Sequence, residues 1–133
     1  MTNKCIDWLK KNNKTSPILV FDLEEVKNNF VRFTKSFGKI KPYYAVKANP
    51  NNKILSLLNS LGSYFDCASI REIENCNKLK VSAKKISFGN TIKKSTDIKR
   101  AYKLGVKLFV FDCEEELIKI SRFAPKSKVY CRI

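Results

Sequence analysis

Short apolar runs recur along this chain at near-constant intervals, and an amphipathic segment follows each. The runs are PILVF (17–21), PYYAV (42–46), SYF (63–65), KISF (85–88), KLFVF (107–111) and KVYCRI (128–133). Runs this short, rich in β-branched and aromatic residues, predict buried strands. The segments between them carry helix signals. Asp22 with Glu25 predicts a cap for EEVKNNFVRFTKSF, closed by Gly38, and Asn49-Pro50 predicts the start of NKILSLLNSL, closed by Gly62. Ser69 with Glu72 reads as a capping box for REIENCNKLK, whose acids lead and whose lysines trail, as the helix dipole favours. Ser95 opens TDIKRAYKL, closed by Gly105, and Asp112 with Glu115 opens EEELIKISRFA, which ends before Pro125. Strands and helices that alternate through short connections require right-handed crossovers and a parallel sheet.

The polar residues that end successive runs are Lys47, Asp66, Asn90, Asp112 and Arg132. They lie roughly 19 to 24 positions apart, about one strand-helix unit each. Parallel α/β folds bind ligands at the carboxyl ends of their strands, so these side chains are expected along one rim. Asn90 and Asp112 read better as residues that start turns and helices. Lys47 is harder to dismiss, because an ammonium at the end of a buried strand is costly unless it is used. The last run stops inside a strand, and a closed βα barrel takes about 250 residues. The chain is therefore expected to be the N-terminal portion of a longer barrel protein.

Composition narrows the chemistry. The chain has 133 residues and a formal charge of +15, which raises the possibility of nucleic-acid binding. Only five of the basic residues are arginine, and the lysines are spread through every segment, often beside asparagine. This is the pattern of solvated faces, and no nucleic-acid role is expected. Five cysteines, Cys5, Cys67, Cys76, Cys113 and Cys131, show no paired or metal-ligand spacing and read as free thiols of a reducing compartment. There is no histidine, no metal site is expected, and the first residues lack the apolar core of a signal peptide. No run reaches transmembrane length, so a cytoplasmic protein without a membrane partner is expected.

Four tracts together resemble a known family: YYAVKANP, FDCASIREIE, ISFGNTIKKSTDIKRAYKLGVKLFVFDCEEELIKI and YCRI. They are similar in order and spacing to the pyridoxal-phosphate-dependent ornithine, arginine and diaminopimelate decarboxylases, with FDCAS followed by REIE, and FDCEEEL after it, pointing to the ornithine and arginine branch. The resemblance runs from about Pro17 to Ile133. It implies an α/β fold, a partial eight-stranded TIM-type barrel of the alanine-racemase-like kind. Residues 1–23 would be an N-terminal segment and strand of a second, β-sheet domain, and residues 24–133 the first part of the barrel.

By the same resemblance Lys47 would bind the cofactor aldehyde as a Schiff base, with its pKa lowered by burial at the strand end. Asp66 would lie close to cofactor and lysine, Glu72 would help organise the site, and Arg132 would meet the ring oxygen through a charge-assisted hydrogen bond. Asp66 can also be read as a turn residue, Glu72 as the capping partner of Ser69, and Arg132 as an edge charge. The substrate implied is a basic amino acid, ornithine first, giving putrescine. A homodimer is implied, and the chain taken alone is expected to be inactive. Three alternatives stay open. One is an inactive homologue that binds an antizyme-like regulator through residues 95–119; another is an arginine, lysine or diaminopimelate decarboxylase; the third is a racemase-type relative.

Overall fold

The computed structural model describes residues 2–12 and 17–133. Six helices are present among them: α1 Asn3–Lys11, α2 Leu23–Phe37, α3 Asn52–Ser60, α4 Ile70–Lys78, α5 Ser95–Lys103 and α6 Glu114–Phe123. The strands are β1 Tyr43–Ala45, β2 Tyr64–Cys67, β3 Ile86–Phe88, β4 Leu108–Phe111 and β5 Lys128–Cys131. They form one sheet in chain order, every pairing parallel. Two compact units result, residues 1–40 with α1 and α2, and residues 41–133 with the sheet and α3 to α6.

Register fixes which side chains share a face. Tyr43 pairs with Tyr64, both Ala45 and Ser87 pair with Asp66, and Val110 pairs with Tyr130. Alternation then turns Phe65, Cys67, Phe88 and Phe109 to the opposite face. These four are buried together with Leu55, Ile73, Ile98 and Ile120, one from each of α3 to α6. Burying side chains of this size contributes about 1.5–3 kcal/mol each. The Tyr64 and Asp66 face is only half covered, and Tyr130 on it is 64% exposed. Burial, followed by Tyr130 and Tyr64, pushes the Tyr43 phenol above its ordinary range. Among the described residues the five cysteines are free thiols, and Cys67 and Cys76 approach to 3.9 Å behind the sheet.

Helices α3, α4 and α5 leave the same way. Ser63, Val81 and Val106 donate their N–H groups to the carbonyls of Leu58, Cys76 and Ala101, each just after a left-handed residue. Gly62 and Gly105 fill that position at φ 88° and 91°, and Lys80 fills it in α4 at φ 61°. After α3 and α5 such exits lead almost directly into β2 and β4, whereas the α4 exit reaches β3 through a 3-10 turn, Ala83–Lys85.

Several helix starts differ from expectation. Asp22 does cap α2, accepting from the N–H groups of Glu24 and Glu25. Its hydrogen bond from Thr2 holds the carboxyl below the usual range. Helix α3 is capped by Asn51, not Asn49, because the Asn49 side chain accepts from the Asn51 N–H and forms a turn ahead of the helix. Ser95 is the first residue of α5, with Lys94 at the cap, and Cys113 rather than Asp112 precedes α6. Pro17–Asp22 pair with none of the described strands, and the strand expected there would join a second, β-sheet domain. Helix α2 begins at Leu23, beside the boundary expected at 23/24, and the two compact units divide at 40/41.

Candidate active site

At the carboxyl end of β1 the backbone turns through a single 3-10 turn, Val46–Ala48. Val46 is fully buried, which fixes the turn, and Lys47 is exposed. The strand ends at Ala45, two residues before Lys47, and the turn carries the lysine past the strand end. The Tyr44 hydroxyl donates to the Asn49 carbonyl at 3.2 Å and ties down the far side of the turn.

Asp66 lies on the neighbouring strand, paired with Ala45. The Ser87 hydroxyl, directly opposite on β3, donates to its Oδ1 at 2.5 Å. Gly89 follows β3, and a Cβ there would collide with the Asp66 carboxylate. Only bare backbone admits the carboxylate at this height, so Asp66 is held at the rim by one hydroxyl and by the lack of a side chain beside it. Its Oδ2 has no partner among the described residues.

Arg132 follows β5. Its N–H donates to the Phe111 carbonyl at 2.8 Å, which carries the ladder one residue past the strand. Its guanidinium donates to the Thr91 hydroxyl at 3.3 Å. Lys47, Asp66 and Arg132 therefore all lie at the carboxyl end of the sheet, on the first, second and fifth strands. Glu72 lies one helical turn beyond β2. Its carboxylate accepts from the Ala68 N–H at 2.7 Å while its own N–H donates to Ser69 Oγ. The capping box forms with Ala68 in place of the Ser69 N–H. Asn90 bonds the Ile92 carbonyl through its side chain, and Asp112 is exposed, so both behave as turn residues.

The sequence reading missed a second cluster near this rim. Lys93 is the one buried lysine among those described, and it ion-pairs with buried Glu116 at 2.9 Å. Lys119 meets the other Glu116 oxygen at 2.5 Å. Burial pushes the Lys93 ammonium below the usual lysine range, against the pull of Glu116. Glu116 was discoverable: four residues before buried Ile120, it sits in the apolar stripe of α6, where an acid needs a partner. Lys93 stands in a loop, GNTIKKS, with no periodic signal.

A parallel βα sheet whose carboxyl rim carries a free lysine, an open carboxylate and an arginine defines a barrel-type domain fitted to a small ligand with carbonyl and anionic groups. Residues 23–133 match the family described as pyridoxal-dependent decarboxylase, pyridoxal binding domain, and the chain belongs to that family. The chloroplastic ornithine decarboxylase of Nicotiana glutinosa is 42% identical over 124 residues, covering 93% of this chain and 29% of that protein. Antizyme inhibitor 2 of Xenopus laevis is 35% identical over the whole chain and 29% of its own length. The crystal structure of lysine decarboxylase from Selenomonas ruminantium superimposes with a TM-score of 0.90 at 34% identity, over 100% of this chain and 35% of that one. The same enzyme has been solved with pyridoxal phosphate and cadaverine. The chain spans under a third of the curated relatives named here. The five parallel strands are those of the first part of the family's cofactor-binding barrel.

The residues present fit pyridoxal phosphate. The exposed amine of Lys47 can reach an aldehyde, Arg132 offers guanidinium donors to an anionic oxygen, and bare Gly89 admits the Asp66 carboxylate to the same rim. No helix among the described residues is long and apolar enough to cross a membrane.

Proposed function

We propose that this chain carries the cofactor-holding lysine of a decarboxylase of basic amino acids, with ornithine as substrate and putrescine as product. The observation that carries the reading is the exposed Lys47 at the rim, one strand from the Asp66 carboxylate, in a family defined by pyridoxal binding. Ornithine is favoured by the 42% identity with the tobacco-genus enzyme over nearly the whole chain. When bound, pyridoxal phosphate supplies an electron sink for the pair left as carbon dioxide departs.

The chain's own residues divide the remaining work. Lys47 would hold the cofactor aldehyde through its amine. Asp66, with Ser87 occupying Oδ1, keeps Oδ2 free to accept a proton-bearing nitrogen at the same rim. Arg132 orients the ring through its remaining guanidinium donors. Glu72 holds the turn after β2 and so sets the height of Asp66. The whole protein is read as a cytoplasmic homodimer, in which residues 1–23 pass to a β-sheet domain. Borohydride reduction of the full-length protein with cofactor, followed by peptide mapping, should place the phosphopyridoxyl group on Lys47. Its appearance on Lys41 or Lys53 would overturn the assignment.

A second reading is an antizyme-binding homologue without activity, favoured by the 35% identity with antizyme inhibitor 2 across the chain. It would use the α5 and α6 surface, residues 95–119. Release of carbon dioxide from ornithine by the full-length protein would exclude it. Antizyme capture without such release would support it.

A further inference from the structure

The Lys93 side chain is fully buried, yet its charge is completely answered. Its three ammonium hydrogens have three close acceptors: the carbonyls of Asn90 at 2.8 Å and Val110 at 2.6 Å, and Glu116 Oε1 at 2.9 Å. The Thr91 carbonyl lies slightly farther off, at 3.4 Å. The main chain is held as well. The Lys93 N–H donates to Glu116 Oε1 at 3.1 Å, and the Lys93 carbonyl accepts from Lys119 Nζ at 2.8 Å. Residues 90–93, the start of the β3–α5 connection, are thereby fastened to the end of β4 and to α6 through side chain, N–H and carbonyl at once.

Replacing a buried ion pair with apolar residues is often no worse for stability, so stability alone does not explain the arrangement. Directional hydrogen bonds achieve something apolar packing does not, which is to set the angle of a loop. The side chain that this loop presents is Thr91, 4% exposed, whose hydroxyl receives the Arg132 guanidinium at 3.3 Å. Arg132 is otherwise an exposed side chain with many rotamers.

We propose that Lys93, Glu116 and Lys119 form a positioning network that acts through Thr91 to aim the Arg132 guanidinium at the ligand site. The proposal rests on the cofactor reading above and adds to it residues that do not touch the cofactor. It follows that the Thr91 hydroxyl matters only while Arg132 is present.

The test uses the full-length protein, with two measurements on the cofactor-free form: the thermal midpoint and the dissociation constant for pyridoxal phosphate. Thr91→Val should keep the midpoint and weaken binding about tenfold to a hundredfold, as expected for one hydrogen bond to a charged group, and Thr91→Ser should restore it. In an Arg132→Met background Thr91→Val should change nothing. Lys93→Met should weaken binding at least as much, and adding Thr91→Val to it should cost no more, because residues of one network are not additive. If Lys93→Met does not fold, Lys93→Met with Glu116→Leu removes both charges and takes its place. Native affinity in Thr91→Val, or full additivity of the two changes, would overturn the proposal. Borohydride labelling separates the two levels. A label on Lys47 with native affinity in Thr91→Val defeats only the positioning network, whereas absence of label from Lys47 defeats the cofactor reading.

Discussion

Two lysines near the same rim live under opposite conditions. Lys47 stands on a turn fixed from beneath by buried Val46, and its own side chain is exposed with no hydrogen bond among the described residues. Lys93 has no exposed side-chain surface and a full set of oxygens around its ammonium. A nitrogen that is to form and break a bond must have a free lone pair within reach, and full coordination by carbonyls and a carboxylate withholds it. The structure thus separates two ways of using a cation: a mobile amine on a rigid base, and a rigid amine used as a fastener. Burial of Lys93 marks architecture, and the exposure of Lys47 leaves its amine open to solvent.

The largest effect expected from this contrast is on activity. Lys47→Ala in the full-length protein should abolish decarboxylation while moving stability by less than about 0.5 kcal/mol, the usual range for an exposed position. A urea titration beside the rate assay checks both halves. Lys93→Met should act first on the fold, lowering stability by about 3 kcal/mol because buried Glu116 keeps only Lys119 as a partner, and should touch cofactor binding only through Thr91 and Arg132. Loss of activity at unchanged stability in that variant would erase the distinction between the two lysines. Gly89 follows β3 and begins the loop that carries Lys93. Gly89→Ala drives a methyl into the Asp66 carboxylate, and a cost of about 1–3 kcal/mol is expected from overpacking, with Asp66 displaced from the rim. Thermal melting with and without cofactor would show whether the ligand shift is lost too. The smallest effect is at Lys80, a lysine placed by backbone alone. Its left-handed φ of 61° suits glycine, so Lys80→Gly should stabilise by about 1 kcal/mol, read as a higher urea midpoint with unchanged slope.

The βα order was legible because it rests on alternating runs, and five of the six apolar runs became strands. The sixth, PILVF, has the right composition, but a strand needs a sheet to join, and composition does not carry that information. Helix ends slipped by one or two residues for a local reason. Asn49 and Asn51 can each cap, and so can Ser95 beside Lys94, and only the path of the preceding turn decides between them. Lys47, Asp66 and Arg132 were visible because each is the polar residue that closes an apolar run. Lys93 was not, because its acceptors are carbonyls of Asn90 and Val110, and a backbone oxygen has no letter in a sequence. Glu114, Glu115 and Glu116 look alike in a row, although helical phase buries only the last.

Each strand of this sheet docks on the strand made just before it. On a ribosome this means that every strand-helix unit emerging from the tunnel finds its neighbour already synthesised, and no strand need wait for a distant one. Growth can then proceed from the N-terminal side, in step with synthesis at about 5–20 residues per second. The exception is the loop before α5: its charge cannot be satisfied until Glu116 appears, 23 residues later. For that interval, on the order of seconds at such rates, Lys93 must remain hydrated, so the third strand's exit is the natural place for translation and folding to fall out of step.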